Sequence, residues 1–532
     1  MSSTSLPSFL LFITDQQRAD YLGCYGHPVL KTPHIDSLAA SGVAFDRFYV
    51  ASPVCMPNRA SLMTGRMPSV HGARANGIPL SRTQRTFVDL LAAAGYHTAL
   101  IGKSHLQNFT GMPPNFTSTA PEQLVPTPRE LRYAVDDGLD GEAYDEENPL
   151  LWESGKKDVR LPFYGFQHVD LVTGHGDQCG GAYLHWLRQQ LPDADRVRDA
   201  ASALQHDYVC PQAVRSALPE ELYPTSYIRD RAIAHLDGHV GHNASQPFFM
   251  MVSFPDPHHP FTPPGEYWDM YSPSDMAPPA AFTRSDWQPS PFVARLLAAR
   301  AAGTANVQSQ DAFTVGEREA REARALTCGM ITMIDDAIGQ ILGALERTGR
   351  RRETVILFMS DHGDYLGDHR LLLKGAAMYQ SILRTPFIWS DPAGTRLNRV
   401  NGLASTIDVP ATILDRAGLA PYQGMQGTSL LPILEERAHG RDRVLVEYEH
   451  QRGIGVPGRM PRQHTLVTRT WRMSLAEGSP GGELYNLADD PQEFRNLWAD
   501  PAAAGAKADL LEQMVLAEIE ARDQLPMPTG RA

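Results

Sequence analysis

Cysteine is scarce in this 532-residue chain: there are five, at positions 24, 55, 179, 210 and 328, odd in number and widely scattered. They show neither a disulfide framework nor paired zinc spacing, so the expectation is a reducing, cytoplasmic compartment. No apolar run approaches the ~18 residues needed to span a bilayer, so no membrane is expected as partner. The apolar stretch near the start, Phe9 to Ile13, is short, lacks a basic flank and runs into Asp15, which makes it a strand and not a signal peptide. Positive charge is also in deficit: 48 Lys and Arg face 61 Asp and Glu, for a net charge of −13. That balance argues against nucleic acid as a partner. A small anionic substrate would need a positive pocket assembled locally inside an acidic protein.

What is present fits a folded globular chain, with 42% hydrophobic and 20% charged residues. The length accommodates one large α/β domain and a smaller one. The division expected is 1–440 and 441–532, with an irregular, Pro- and acid-rich insertion at about 107–225. Its acidic crowd (Asp136, Asp137, Asp140, Glu142, Asp145, Glu146, Glu147) reads as a solvated face. Residues 262–315 read as a Pro- and Ala-rich connection, and the long apolar spacing from Glu317 to Gly349 as a packing helix.

The chemistry concentrates where apolar runs stop. Cys55, Pro57 and Arg59 form C-x-P-x-R before a small and apolar run. Pro57 suits a first helical turn. The free N–H groups there favour an anion, and Arg59 adds a permanent forked donor. A buried structural cysteine is the alternative for Cys55 taken alone. The run at 9–14 ends in Asp15 and Gln16, at the edge where α/β sheets bind ligands. His97 to Ile101 leads into Gly102-Lys103-Ser104-His105; if extended, Lys103 and His105 share a face. The buried run 247–254 ends in Pro255-Asp256-Pro257-His258-His259-Pro260-Phe261. The run 354–359 ends in Ser360-Asp361-His362-Gly363, with Lys374-Gly375 following.

The segment Cys55 to Arg66, with Leu62, Thr64, Gly65 and Arg66 in place, resembles the signature of the formylglycine-dependent sulfatases of the alkaline phosphatase superfamily. Further resemblances are G-K-x-H at 102–105, P-H-x-P-F with His258 in register, S-D-H-G-x-x-L-G-D-H at 360–369, and Glu483-Leu484-Tyr485 to Glu493 near the end. They cover the chain from Asp15 to about Leu497. The implied fold is α/β: a large, mixed, mostly parallel sheet flanked by helices, with a smaller C-terminal part containing an antiparallel sheet.

The resemblance implies that Cys55 is oxidised to formylglycine by a formylglycine-generating enzyme, its hydrate being the nucleophile. It places Asp15, Gln16, Asp361, His362 and residue 55 around one divalent ion, calcium ranked ahead of manganese. Arg59, Lys103 and Lys374 would hold the ester anion, His258 would protonate the leaving alcohol, and His105 would deprotonate the second hydrate oxygen. The family's second metal position is usually Asp; Gln16 there, with His362 and with Asn76 as a substrate contact, resembles the phosphonate monoester and phosphodiester hydrolase branch. Gln380 likewise stands where the family carries Glu. The expected activity is sulfate-ester hydrolysis of a small molecule, with the phosphonate and phosphodiester reading second, in a homo-oligomer.

Overall fold

The computed structural model describes residues 6–112, 125, 128, 131, 134, 135, 138–156, 158–243, 245–284, 286–450 and 460–531. Asp136 and Asp137 of the acidic stretch lie outside the described residues.

Strand β1 (Ser8–Thr14) is buried along its whole length and feeds two cores. Leu10 and Phe12 pack on one face, and Phe9, Leu11 and Ile13 on the other. A strand covered on both sides has no polar face to alternate, which is why the run is continuously apolar. The strands that follow are β2 (Val43–Tyr49), β3 (His97–Lys103), β4 (His168–Thr173), β5 (Gly180–Gly181), β6 (Phe248–Ser253), β7 (Phe313–Thr314), β8 (Thr354–Ser360), β9 (Leu371–Leu372), β10 (Phe387–Ser390) and β11 (Arg399–Ser405). A nine-stranded sheet runs in the order β11-β2-β10-β8-β1-β6-β3-β4-β5, and β7 pairs with β9 separately. Within the nine-stranded sheet β10 is antiparallel to both neighbours and β5 is antiparallel to β4, and the other pairings are parallel; β7 and β9 are antiparallel.

The longer helices are α1 (Pro33–Ala40), α2 (Cys55–Thr64), α3 (Phe87–Ala93), α4 (Ala182–Gln190), α5 (Pro224–Asn243), α6 (Pro291–Ala301), α7 (Glu317–Arg347), α8 (Asp408–Arg416) and α9 (Ala504–Glu520). Helices α1, α4, α5 and α7 cover one face of the sheet, and α2, α3 and α8 the other. Helix α7 is long and apolar enough to cross a bilayer, but it is a core element: Leu326, Met330, Ile334, Ile338 and Ile341 are buried against the sheet.

Three local readings change. The connection 262–315 contains α6, which starts at the N-cap Ser290. The run Ser405-Thr406-Ile407-Asp408 reads in sequence as the start of a helix, but α8 begins only at Asp408, because 399–405 is strand β11; the Asp408 carboxylate accepts from the Ser405 and Thr428 N–H groups at that start. The irregular stretch 107–225 contains β4, a full member of the central sheet. It was hidden because only Leu171, Val172 and Thr173 of its residues are buried.

Beyond residue 441 a four-stranded antiparallel sheet follows, of β12 (Arg443–Glu449), β13 (Arg462–Thr468), β14 (Trp471–Ala476) and β15 (Glu483–Asn486), with α9 packed on it. Its strand β12 is tied to the segment ahead of Cys55 by Glu447 N–H to Ala51 C=O, 2.9 Å. For function, one feature of the topology matters most. Strands β8, β1, β6 and β3 are consecutive parallel neighbours, so all four release their chains at the same edge.

Candidate active site

At that edge β1 delivers Asp15 and Gln16, β8 delivers Asp361 and His362, and β3 ends in Lys103. Helix α2 starts beside them with Cys55 as its first residue. Val54 gives that helix no side-chain cap; instead the Asn76 side-chain Oδ1 accepts from Met56 N–H at 3.1 Å. Asn76 thus builds the first turn next to Cys55. Asn58, one turn into α2, accepts from Ala51 N–H at 2.9 Å and donates to the Asp361 carbonyl, which locks helix and strand end together.

The ligand atoms of Asp15, Cys55, Asp361 and His362 all lie within 4.8 Å of one another, and all four residues are buried. Each carboxylate has one oxygen committed to a cation. Asp15 Oδ2 pairs with Lys103, with Arg59 at 3.6 Å, and Asp361 Oδ2 accepts from Arg59 Nε at 2.7 Å. Their other oxygens face the cluster. Asp15 Oδ1 is 3.4 Å from His362 Nε2 and 3.7 Å from Cys55 Sγ, and Asp361 Oδ1 accepts the Gln16 N–H at 3.1 Å. His362 Nδ1 donates to the Gly363 carbonyl at 2.9 Å, so its Nε2, 3.0 Å from Cys55 Sγ, keeps the lone pair.

Gln16 has a left-handed backbone (φ 65°) and a fixed amide. Its Nε2 donates to Asp364 Oδ2 (2.5 Å) and His259 Nδ1 (3.1 Å), which turns Oε1 toward Lys374 Nζ at 2.9 Å. Lys374 also reaches Cys55 Sγ at 3.3 Å and His258 Nε2 at 2.9 Å. These three partners of Lys374 are uncharged side chains, whereas Arg59 and Lys103 are each tied to a carboxylate.

Electrostatics follow from burial and this pairing. Burial would raise Asp15, but Lys103, His258, His175 and Arg59 together hold it well below the usual carboxylate range. Burial and the Asp15 charge push the Cys55 thiol up to about 11, which leaves an unmodified thiol protonated and a poor nucleophile. Burial acts against the Lys374 charge, but Cys55, Asp15 and Asp361 raise it and keep it cationic. His258 is kept neutral by burial, His175, His259 and Lys374.

Of the residues singled out in the sequence, Asp15, Gln16, Cys55, Arg59, Lys103, His258, Asp361, His362 and Lys374 converge, and Asn76 adjoins them. His105 differs. Strand β3 stops at Lys103, and His105 has φ 55°, so the two side chains do not share an extended face. The His105 ring packs against Phe109 (3.8 Å between centroids, tilted by 36°), and its buried Nδ1 has no hydrogen-bond partner. Its backbone is fixed by Glu147, which accepts from the N–H groups of His105, Leu106 and Gln107. Glu147 is fully buried and Glu146 pairs with Lys156, so these two acids are structural and not a solvated face.

Sequence reasoning missed His175. Its Nε2 is 2.7 Å from Lys103 Nζ and 3.8 Å from Asp15 Oδ2, and its ring stacks on His258 (3.5 Å, 8°). The signal was there, as a histidine between two glycines of positive φ (Gly174 and Gly176) just past β4. It became legible only once β4 was known to be a strand beside β3.

The profile of the family described as Sulfatase matches residues 7–419. The chain belongs to the sulfatase family. The profile of the N-sulphoglucosamine sulphohydrolase C-terminal region matches 367–520. An arylsulfatase of Clostridium perfringens is 27% identical over 97% of this chain and 95% of its own length. The multifunctional alkaline phosphatase superfamily protein PehA of Trinickia caryophylli is 28% identical over 95% and 93%. The phosphonate monoester hydrolase of Agrobacterium radiobacter superposes with a TM-score of 0.74 at 25% identity, covering 97% of this chain and 96% of that one. Sulfatases generally use a formylglycine and a divalent ion, and the donor set fits such an ion: two carboxylate oxygens and an imidazole lone pair converge, while Lys103 and Arg59 occupy the outer oxygens.

Proposed function

We propose that this sulfatase-family protein hydrolyses small-molecule sulfate esters, with residue 55 carried as formylglycine and one divalent ion held by Asp15, Gln16, Asp361 and His362. What carries the proposal is the meeting of Asp15, Asp361 and His362 with Cys55 and Lys374 at the start of α2, Gln16 standing beside them. The mostly oxygen set suits a hard cation, calcium ahead of manganese. Such an ion supplies Lewis acidity to the nucleophilic hydroxyl and the ester oxygen. A hydrated aldehyde supplies two hydroxyls, one to attack sulfur and one through which sulfate is expelled by C–O cleavage; a serine or thiol lacks the second.

The side chains divide the remaining work. Lys374, cationic and with neutral partners, binds the sulfate charge, while Arg59 and Lys103 hold Asp361 and Asp15 in the orientation the ion needs. His258 turns Nδ1 to the His259 carbonyl and Nε2 to Lys374, where it can take a proton and pass it to the leaving alcohol. An anionic ester beside it raises its affinity for that proton. His105, neutral and with a free Nδ1, removes the proton of the second hydroxyl, and His175 positions Lys103. A formylglycine-generating enzyme is then a required partner, and the five free cysteines suit a reducing, cytoplasmic setting for the homo-oligomer we expect.

Phosphonate monoester or phosphodiester hydrolysis is the second reading, favoured by Gln16, His362 and Asn76, the positions at which the chain resembles that branch. Kinetics on an aryl sulfate, an alkyl sulfate, a phosphonate monoester and a phosphodiester decide between them, alongside mass spectrometry of the residue-55 peptide. Higher kcat/KM on the sulfates is expected. A preference for the phosphonate would overturn the first reading in favour of the second, and unmodified Cys55 in active protein would overturn both.

A further inference from the structure

The opposite edge of the same sheet carries a second concentration of ligating side chains. His97 is the first residue of β3 and His168 the first of β4, which are parallel neighbours. His235 and His239 lie one turn apart on α5, which packs over β3. The four imidazoles surround a cavity of about 300 Å³, with Asp170 and Arg231 also in its wall. We infer that this cavity is a second metal site, built for a borderline transition ion such as Zn²⁺.

The geometry that points there is the pair His97 and His235. Their Nε2 atoms are 3.1 Å apart. Two nitrogens bound to one tetrahedral Zn²⁺ at 2.0–2.1 Å would stand roughly 3.3 Å from each other. The other two rings flank the pair, His239 at 4.9 Å from His97 and His168 at 4.4 Å from His235, between centroids. Both have their outer nitrogen anchored: His168 Nε2 to Asp170 Oδ2 at 3.0 Å, and His239 Nε2 to the Gln246 carbonyl at 3.2 Å. Metal-binding histidines are held in this way, with a carboxylate or carbonyl fixing one nitrogen as N–H and leaving the other as the donor. His97 and His235 supply the two nitrogens already at ligand spacing, a third comes from His168 or His239 only if that ring leaves its present anchor, and water completes the shell.

The chemistry selects the ion. The ligands are neutral imidazoles, and Arg231 (Nε 3.3 Å from Asp170 Oδ2) neutralises the carboxylate, so a hard Ca²⁺ or Mg²⁺ gains little here. Burial, reinforced by the neighbouring histidines, lowers His97 to about 4 and His235 to about 3. Both rings are thus neutral near neutral pH, and the one that donates in the Nε2–Nε2 contact needs only to shift its proton to Nδ1 before binding.

The test is independent of the active-site proposal. Zn²⁺ is titrated calorimetrically into full-length Asp361→Asn protein, in which the site at the other edge is weakened, and Co²⁺ is substituted to read tetrahedral visible bands. One Zn²⁺ equivalent is expected, lost on adding either His235→Gln or His97→Gln, and weakened roughly 10–100-fold by Asp170→Asn. Circular dichroism separates loss of binding from loss of fold, and two independent ligand variants guard against either one misfolding. Equal Zn²⁺ stoichiometry and affinity with and without His235 and His97 would overturn the inference. So would the absence of binding in the parent, which would leave the four rings as a hydrogen-bonded stack.

Discussion

Lys374 Nζ lies 2.9 Å from His258 Nε2 and 3.3 Å from Cys55 Sγ, so one buried cation joins the proposed nucleophile position to the proposed acid. It is the cation of the site whose charge is not spent on a neighbouring carboxylate. Lys374→Ala should therefore lower kcat/KM for an aryl sulfate by ~10²–10³, the scale of losing a preorganised charge-stabilising donor. Lys374→Arg should not restore it, because a guanidinium fork cannot serve three converging partners from the space of one ammonium. Steady-state kinetics read both variants, and losses below about tenfold would remove Lys374 from the anion site.

Cys55→Ala and Cys55→Ser should both lack multiple turnover while keeping the fold, since the side chain serves chemistry at a helix start and not the core. A serine offers no second hydroxyl with which to expel sulfate. Product release followed over several enzyme equivalents is the measurement. Sustained turnover by Cys55→Ser near the parent rate would exclude the aldehyde hydrate.

His258 and His105 should separate by leaving group. Loss of a general acid forfeits ~10²–10⁴-fold only where the departing alcohol needs a proton, so His258→Ala should spare activated aryl esters and cripple alkyl esters. His105→Ala should slow breakdown of the sulfated enzyme by the same factor across the series. Rates against a graded set of leaving groups distinguish them, and the reverse pattern would exchange the roles.

Stability should depend on pH through α9. His464 on β13 is ion-paired with Glu518 on α9, which raises its pKa above the ordinary 6.5 against the pull of burial. The folded state therefore holds this proton more tightly than the unfolded chain. The stabilisation is complete below about pH 6.5 and is lost as pH rises through the folded value. His464→Gln should lower Tm by roughly 1–2 °C at acidic pH, the scale of a partly exposed pair, with no difference at high pH. Thermal melts across that range are the check, and a gap that widened with pH would contradict the pairing.

The sequence by itself determined that runs such as 9–14 and 354–359 are buried strands, and which side chains stand at their ends. Each rests on a local rule: a buried strand must be apolar throughout, and a run such as 9–14 or 354–359 that stops in Asp and His must present them at its carboxyl edge. Only the tertiary structure decided how the charges divide. Arg59, Lys103 and Lys374 look alike in sequence, yet two are bound to carboxylates and one is not, because β3, α2 and the 374 loop approach the cluster from different directions. His175 and the His97–His235 pair were unreadable for the same reason. Their meaning lies in contacts between residues 72 and 138 positions apart, made by β4 lying beside β3 and by α5 packing over β3, and no periodicity along the chain encodes which elements become neighbours. His105 shows the converse limit: one residue of left-handed backbone past the strand undid an alternation that the sequence pattern alone could only assume.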